Sequence, residues 1–346
     1  MVLGDLWEQT AATNIGLDFA MLNNRLSGSL EYYSNISTDL LGSVQTDPTT
    51  GFASGLLNYG GMSNKGLDLT LNVDVLRESE LKWNVRANFS YNENLVTKVE
   101  DQLQSKGNLV WRGKFEVGQP FSNRVTYNYA GLDAAGVIQV AAADGTLMDW
   151  RAAQGATLTT DDLISHGTTT APYYGGLSST FRYKGLDLTI NSTFKFGHVF
   201  TRWDATGYGG AYGSIRQKHW ANRWMKPGDE LTTRIPKIAY NGPLNPNPYN
   251  GQVENAFDSS DGDIFYYYSQ DHVYDAGFFR IRDIILGYTM PKEFLGDSLF
   301  KSVRLTGQIT NPFLWVSNAP GHDPEIAGNE AYSNLKTVTL GIKATF

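Results

Sequence analysis

Residues Leu81–Tyr91 read LKWNVRANFSY. Leu81, Trp83, Val85, Ala87, Phe89 and Tyr91 alternate without a break with Lys82, Asn84, Arg86, Asn88 and Ser90. Successive side chains of an extended strand point to opposite faces, so this stretch makes a strand with one apolar and one polar face.

The same alternation recurs along the chain. Leu67, Leu69, Leu71, Val73 and Val75 interleave with Asp68, Thr70, Asn72 and Asp74. Leu186, Leu188, Ile190, Phe194 and Phe196 interleave with Asp187, Thr189, Asn191, Thr193 and Lys195. Val303, Leu305 and Ile309 repeat the pattern, as do Val338, Leu340, Ile342, Ala344 and Phe346. Weaker versions lie at 15–21, 26–33 and 177–183. The run 278–290 alternates with a phase slip near Asp283–Ile284, which predicts a β-bulge there.

This gives about nine strands, several near the 9–11 residues that a tilted bilayer crossing needs. The connections alternate in length. Turns at 22–26, 76–81 and 183–186 are short, and 291–301 is slightly longer. Between them lie about 25 residues (37–61), 75 (98–172), 70 (202–272) and 16 (317–332). Short turns at one end and long loops at the other describe an all-β, antiparallel transmembrane β-barrel. Trp83, Tyr91, Tyr183, Phe196, Tyr288, Trp315 and Phe346 stand near strand ends, where aromatic girdles belong. The alternative is a secreted soluble β-sandwich that binds or cleaves polysaccharide. It differs in one respect: its apolar faces are buried against a second sheet.

Composition narrows the classes further. The 346 residues include no cysteine, which excludes disulfide scaffolds, thiolate metal sites and thiol catalysis. A net charge of -7 argues against a nucleic-acid partner. Aromatic content is 13%, too rich for a disordered chain. No apolar run reaches 18 residues, and MVLGDLWEQT lacks the basic and apolar regions of a signal peptide.

Several strings resemble the SusC/RagA-type TonB-linked outer-membrane proteins. They are LWEQTAATNIGLDFAMLNNRLSGSLEYYSNISTDLL, NYGGMSNKGLDLTLNVDVL, LKWNVRANFSYNENLVTKV, YYGGLSSTFRYKGLDLTINSTFKFG, FFRIRDIILGYTMPKEF and NPFLWVSNAPGHDPE. The resemblance implies that residues 1–346 are the C-terminal part of a 22-stranded barrel. The plug, the N-terminal domain and the signal peptide would lie outside these residues. It also implies TonB-dependent uptake of oligosaccharide or peptide, with no enzymatic step and no cofactor. The implied partners are a SusD-type surface lipoprotein, the TonB–ExbB–ExbD complex acting through the plug, the barrel-assembly machinery and outer-membrane lipid. Phe346, closing an amphipathic strand, is the expected assembly signal.

Lumen-facing candidates are Asn72, Lys82, Asn84, Arg86 and Asn88, on the polar faces of their strands. Candidates for a ligand or partner loop are Trp203, Tyr208, Tyr212, Trp220, Arg223 and Trp224, with Tyr266, Tyr267 and Tyr268. Exposed aromatics suit sugar stacking, and those near a strand end equally suit an interfacial belt. Gly321-His322-Asp323-Pro324-Glu325 offers two carboxylates that bind a cation, hold the loop, or form a plain turn. Asp258, Asp261 and Asp263 have no EF-hand spacing and read as loop formers rather than a calcium site. The five histidines show no paired ligand spacing, so neither a metal centre nor a catalytic motif is expected.

Overall fold

The computed structural model describes residues 7–45, 51, 54–99, 110, 116–153, 158–202, 221–236, 262–296, 299–326 and 334–346. The strands in chain order begin with β1 (Gln9–Met21), β2 (Leu26–Gln45), β3 (Ser54–Leu76) and β4 (Lys82–Lys98). Short strands follow: β5 (Asn123–Thr126), β6 (Tyr129–Leu132), β7 (Ile138–Ala141), β8 (Leu147–Asp149) and β9 (Ile164–Thr168). Long strands return with β10 (Tyr173–Tyr183) and β11 (Leu186–Phe196). The short pair β12 (Val199–Thr201) and β13 (Val273–Asp275) comes next, then β14 (Phe278–Thr289), β15 (Ser302–Val316) and β16 (Thr337–Thr345).

Nine of them form one open antiparallel sheet in the order β1-β2-β3-β4-β10-β11-β14-β15-β16. Every long strand therefore pairs with its sequence neighbour, the up-and-down order that the alternating turns predict. The turns have the expected chemistry. Lys184 and Gly185 both take positive φ (43° and 85°), the pairing that a two-residue hairpin turn requires.

Register places the apolar residues on one continuous face. Val85 sits opposite Val73 on β3 and Ser179 on β10, and Phe181 opposite Trp83 and Leu188. Leu188 faces Leu286 and Ile309 faces Val338. Among the described residues no second sheet covers this face. Leu340 and Ile342 on β16 are 83% and 77% exposed. A soluble sandwich would bury them, so the sandwich alternative fails on this observation.

Two expectations need correction. The 37–61 stretch is mostly strand rather than loop, because β2 and β3 stay paired out to Gln45↔Ser54. Register shifts between Ser37 and Leu41 break the simple alternation, which hid the extension. The bulge in β14 falls at Arg282, one residue before the expected position, between Ile281 and Asp283. Its partner strand β15 slips at the same level, across Asn311 (φ 52°) and Pro312. Proline lacks an N–H for the ladder, and a bulge is where a strand tolerates one.

The hydrophobic core lies outside the large sheet. Val110, Tyr127, Tyr129, Ile138, Val140, Trp150, Leu158, Phe265 and Tyr266 form it, so it joins the two longest loops. Tyr127 packs on Phe265 with ring centroids 4.4 Å apart, and Tyr129 meets Tyr266 edge-on at 5.6 Å. Tyr127 N–H donates to Tyr268 O (2.9 Å), and Arg234 Nη2 donates to Tyr129 O (2.9 Å). Burial pushes the Tyr127 phenol up to about 12. Phe278 and Trp315 lie on opposite faces of the sheet at its long-loop end. There Phe278 is 1% exposed, while Trp315 on the apolar face is 49% exposed.

Two outcomes follow for this unit. Ile138→Ala should destabilise it by about 2–5 kcal/mol through the cavity left behind. Hydrogen exchange should then quicken at β6–β8 and not at β4. His166 Nε2 shares a 2.8 Å hydrogen bond with Thr126 Oγ1, and burial, then the Arg124 guanidinium, holds its pKa below the ordinary 6.5. Its contribution is fully present above pH 6.5 and falls away as pH drops below that value, because the unfolded segment then binds the proton more readily. His166→Gln should flatten that acid limb in a pH series of the same exchange experiment.

Candidate functional site

The sequence-predicted lumen residues share the polar face. Asn72 lies opposite Arg86, Asn88 opposite Thr70 and Gly176, and Arg86 opposite Ser178. Asn84 Nδ2 donates to Asn72 Oδ1 (3.0 Å) and to Asp74 Oδ1 (2.8 Å). Lys82 stands at the short-turn end, opposite Arg182, which pairs in register with Asp187. Arg304 Nη2 reaches that Asp187 at 2.6 Å by crossing over Gly287. A Cβ at Gly287 would meet the guanidinium at 2.2 Å, so this crossing needs a bare position.

The polar face carries a hollow of about 450 Å³, lined in part by Ser27, Thr70, Asn72, Arg86, Asn88 and Asn191. Its polar lining is amides, hydroxyls and one guanidinium, groups that hydrogen-bond rather than react, set beside Leu71, Ala87 and Leu177. A second hollow of about 460 Å³ lies where β4 leaves β10 for the segment at 116–122. Asn64, Asn92 and Asn94 face it together with Tyr91, Phe121 and Tyr173. Both volumes fall in the range of small-molecule sites.

The Gly321–Glu325 string does hold the loop. Arg280, 2% exposed, is bound by Asp323 Oδ2 at 2.5 Å. Its Nε lies 2.9 Å from Glu325 Oε2, near enough for charge attraction but off the N–H line. Arg282 Nη2 meets Glu325 Oε1 at 2.5 Å, and its Nε donates to Thr193 Oγ1 at 2.8 Å. Two cations thus face two carboxylates, and the pairs neutralise each other. The bulge at Arg282 makes this possible. In unbroken period two, residues 280 and 282 share a face but the register of 283–289 is wrong for β11; the extra residue reconciles both. Asn318 closes the loop: its Oδ1 accepts from His322 N (2.7 Å), and its Nδ2 donates to Asp275 O (3.2 Å).

The aromatic candidates divide. Trp203, Tyr208, Tyr212 and Trp220 lie outside the described residues, as do Asp258 and Asp261. Arg223 is half-buried. Trp224 is buried against Gly136, whose positive φ (72°) and missing Cβ make room for the indole, and its Nε1 donates to Glu230 at 3.1 Å. Tyr266 is spent in the loop core, while Tyr267 and Tyr268 remain half-buried with rings 4.8 Å apart. Phe346 packs on Phe300 at 5.1 Å. Among the described residues no group of three or more His, Asp or Glu has a metal-binding arrangement.

Comparison with known proteins adds to this geometry. Residues 2–158 match the family model described as TonB dependent receptor-like, beta-barrel. The TonB-dependent receptor P26 of Formosa agariphila is 25% identical over 381 residues, covering 98% of this chain and 35% of that protein. The TonB-dependent receptor SusC of Bacteroides thetaiotaomicron is 25% identical over 360 residues, covering 98% of this chain and 32% of that protein. Among solved structures, the RagAB peptide importer in its 'open-open' state matches with a TM-score of 0.70 at 24% identity, over 98% of this chain and 35% of that one. Its 'closed-closed' state matches with a TM-score of 0.68 at 25% identity, over 98% and 36%. The chain therefore spans about a third of the length of these relatives. Family pattern, relatives and fold agree: residues 2–158 match the receptor β-barrel pattern, and the chain as a whole is similar to SusC and to the RagAB importer.

Proposed function

We propose that this chain forms part of the wall of an outer-membrane, TonB-dependent importer of oligosaccharide or peptide. The supporting observation is the two-faced sheet: an apolar face that no described element covers, backed by a polar face with a hollow. On this reading the nine strands are the C-terminal part of a larger closed barrel, and β1 and β16 pair with further strands. An open edge would leave unpaired backbone groups in lipid, at a cost of several kcal/mol each. A plug coupled to TonB–ExbB–ExbD would supply the energy, and a SusD-type lipoprotein would deliver substrate at the long-loop end. Insertion would use the barrel-assembly machinery, with Phe346 in its signal. Asn72, Lys82, Asn84, Arg86 and Asn88 then line the lumen or touch the plug. Tyr267 and Tyr268 would meet substrate or lipoprotein, whereas the buried Trp224 holds the loop. No bond of the cargo is broken.

Dimensions fit a bilayer. Tyr173 and Tyr183 bound β10, ten residues apart. At about 3.3 Å per residue and a tilt of about 40°, they stand about 25 Å apart along the membrane normal, the height of a barrel's apolar band. Aromatic pairs stand near both ends: Tyr91 stacks on Tyr173 at 5.1 Å, and Trp83 on Phe181, two residues before Tyr183, at 5.3 Å.

Val85→Arg should cost about 2–4 kcal/mol in the membrane-inserted protein, and Asn84→Arg far less, since only the first puts a charge in hydrocarbon. Denaturant titration in lipid vesicles measures both; equal costs would remove the membrane assignment. At the mouth, Arg280→Ala leaves the largely buried Asp323 without its cation and should cost about 3–5 kcal/mol. Arg282→Ala, at a third-exposed site, should cost under about 1 kcal/mol. Hydrogen exchange across 317–326 reports the difference, and uptake of labelled substrate tests whether a loosened loop alters import.

A further inference from the structure

We infer that the β14–β15 turn, residues 291–301, is an interfacial anchor that seats in the lipid leaflet at the short-turn end of the sheet. The inference rests on the membrane reading above. The other turns at this end are short: Asn23-Asn24, Arg77–Glu80 and Lys184-Gly185. This one is longer, with a single helical turn at Lys292–Leu295 opened by Pro291 and closed at Gly296. It holds large apolar side chains in the open: Phe294 is 78% and Leu299 86% exposed. Nothing in a water-facing turn of this length requires them, and burial of such side chains is the main favourable term available to it.

Continuity identifies the occupant. Phe346 follows Ile342 and Ala344 in phase, and these pair with Leu305 and Val303 on the lipid-facing side. Phe300 packs on Phe346 at 5.1 Å, which carries the apolar face without a gap from the sheet into the turn. Lys292 and Lys301 flank the apolar residues, and both are exposed. Lys301 is tied to the sheet edge by its N–H to Thr345 O, 2.6 Å. An apolar cluster rimmed by the charged Lys292, Glu293 and Lys301 at the end of a lipid-facing wall fits the boundary between acyl chains and zwitterionic or anionic headgroups.

The chain has no cysteine, so an introduced thiol is its single labelling site. Phe294→Cys and Leu299→Cys, each carrying a nitrobenzoxadiazole label, are compared with Asn23→Cys and Ile342→Cys. The chain sits within its full-length closed barrel, any cysteine elsewhere replaced by serine, in vesicles of phosphatidylcholine and phosphatidylglycerol containing acyl-chain nitroxide lipids, with iodide as the aqueous quencher. The expected result is loss of fluorescence with the nitroxide and little with iodide at 294 and 299, and the reverse at 23. Quenching by iodide at 294 and 299, or shielding from both quenchers, as a covering protein would give, overturns the anchor. The label at 342 separates the two levels. If it is quenched by nitroxide while 294 and 299 are not, the anchor alone fails; if it is not, the membrane reading fails with it.

Discussion

The wall of this structure follows from an apolar face that no described element covers. A two-layer protein folds because each sheet hides one face on another layer. Here nine strands align their Leu, Ile, Val and Phe residues on one side, and among the described residues nothing packs there. On the proposed membrane reading an apolar solvent relieves that surface, and in such a solvent only satisfied backbone ladders survive. The long strands, their strictly sequential pairing and the polar opposite face are three consequences of one requirement.

The loops obey the opposite rule. They sit in water and need a conventional core, which they make from Tyr127, Tyr129, Ile138, Val140, Trp150, Phe265 and Tyr266. Two segments far apart in sequence share it, so the loops make a second folded body with its own interior. Charge does the joining at the last loop, where Arg280 and Arg282 meet Asp323 and Glu325.

Much of the wall was legible from the sequence because period two is a strong local signal. Leu81–Tyr91 announces its faces without help from the rest of the fold. The signal failed where a single residue broke phase: the irregularity between Ser37 and Leu41 concealed the outer half of the β2–β3 hairpin. The loop unit was less legible because its strands are only three to five residues long. Its turn chemistry was nonetheless present. Asp133 accepts from Ala135 and Val137 N–H groups just before the positive-φ Gly136, and Asp144 does the same for Thr146 beside Gly145. The ion-paired mouth was half legible: the carboxylates of Gly321–Glu325 were readable as loop holders, but their partners Arg280 and Arg282 are brought to them by register and by a bulge at Arg282.

A loop body with its own closed core has an evolutionary consequence. Among the described residues the wall holds it where its strands enter and leave, at residues such as Asn92, bonded to Pro172, and Ala276, bonded to His198. Recombination or insertion between those points can remodel the outer surface wholesale while the strand register beneath stays untouched. Diversity in what reaches the mouth can therefore accumulate without reinventing the conduit.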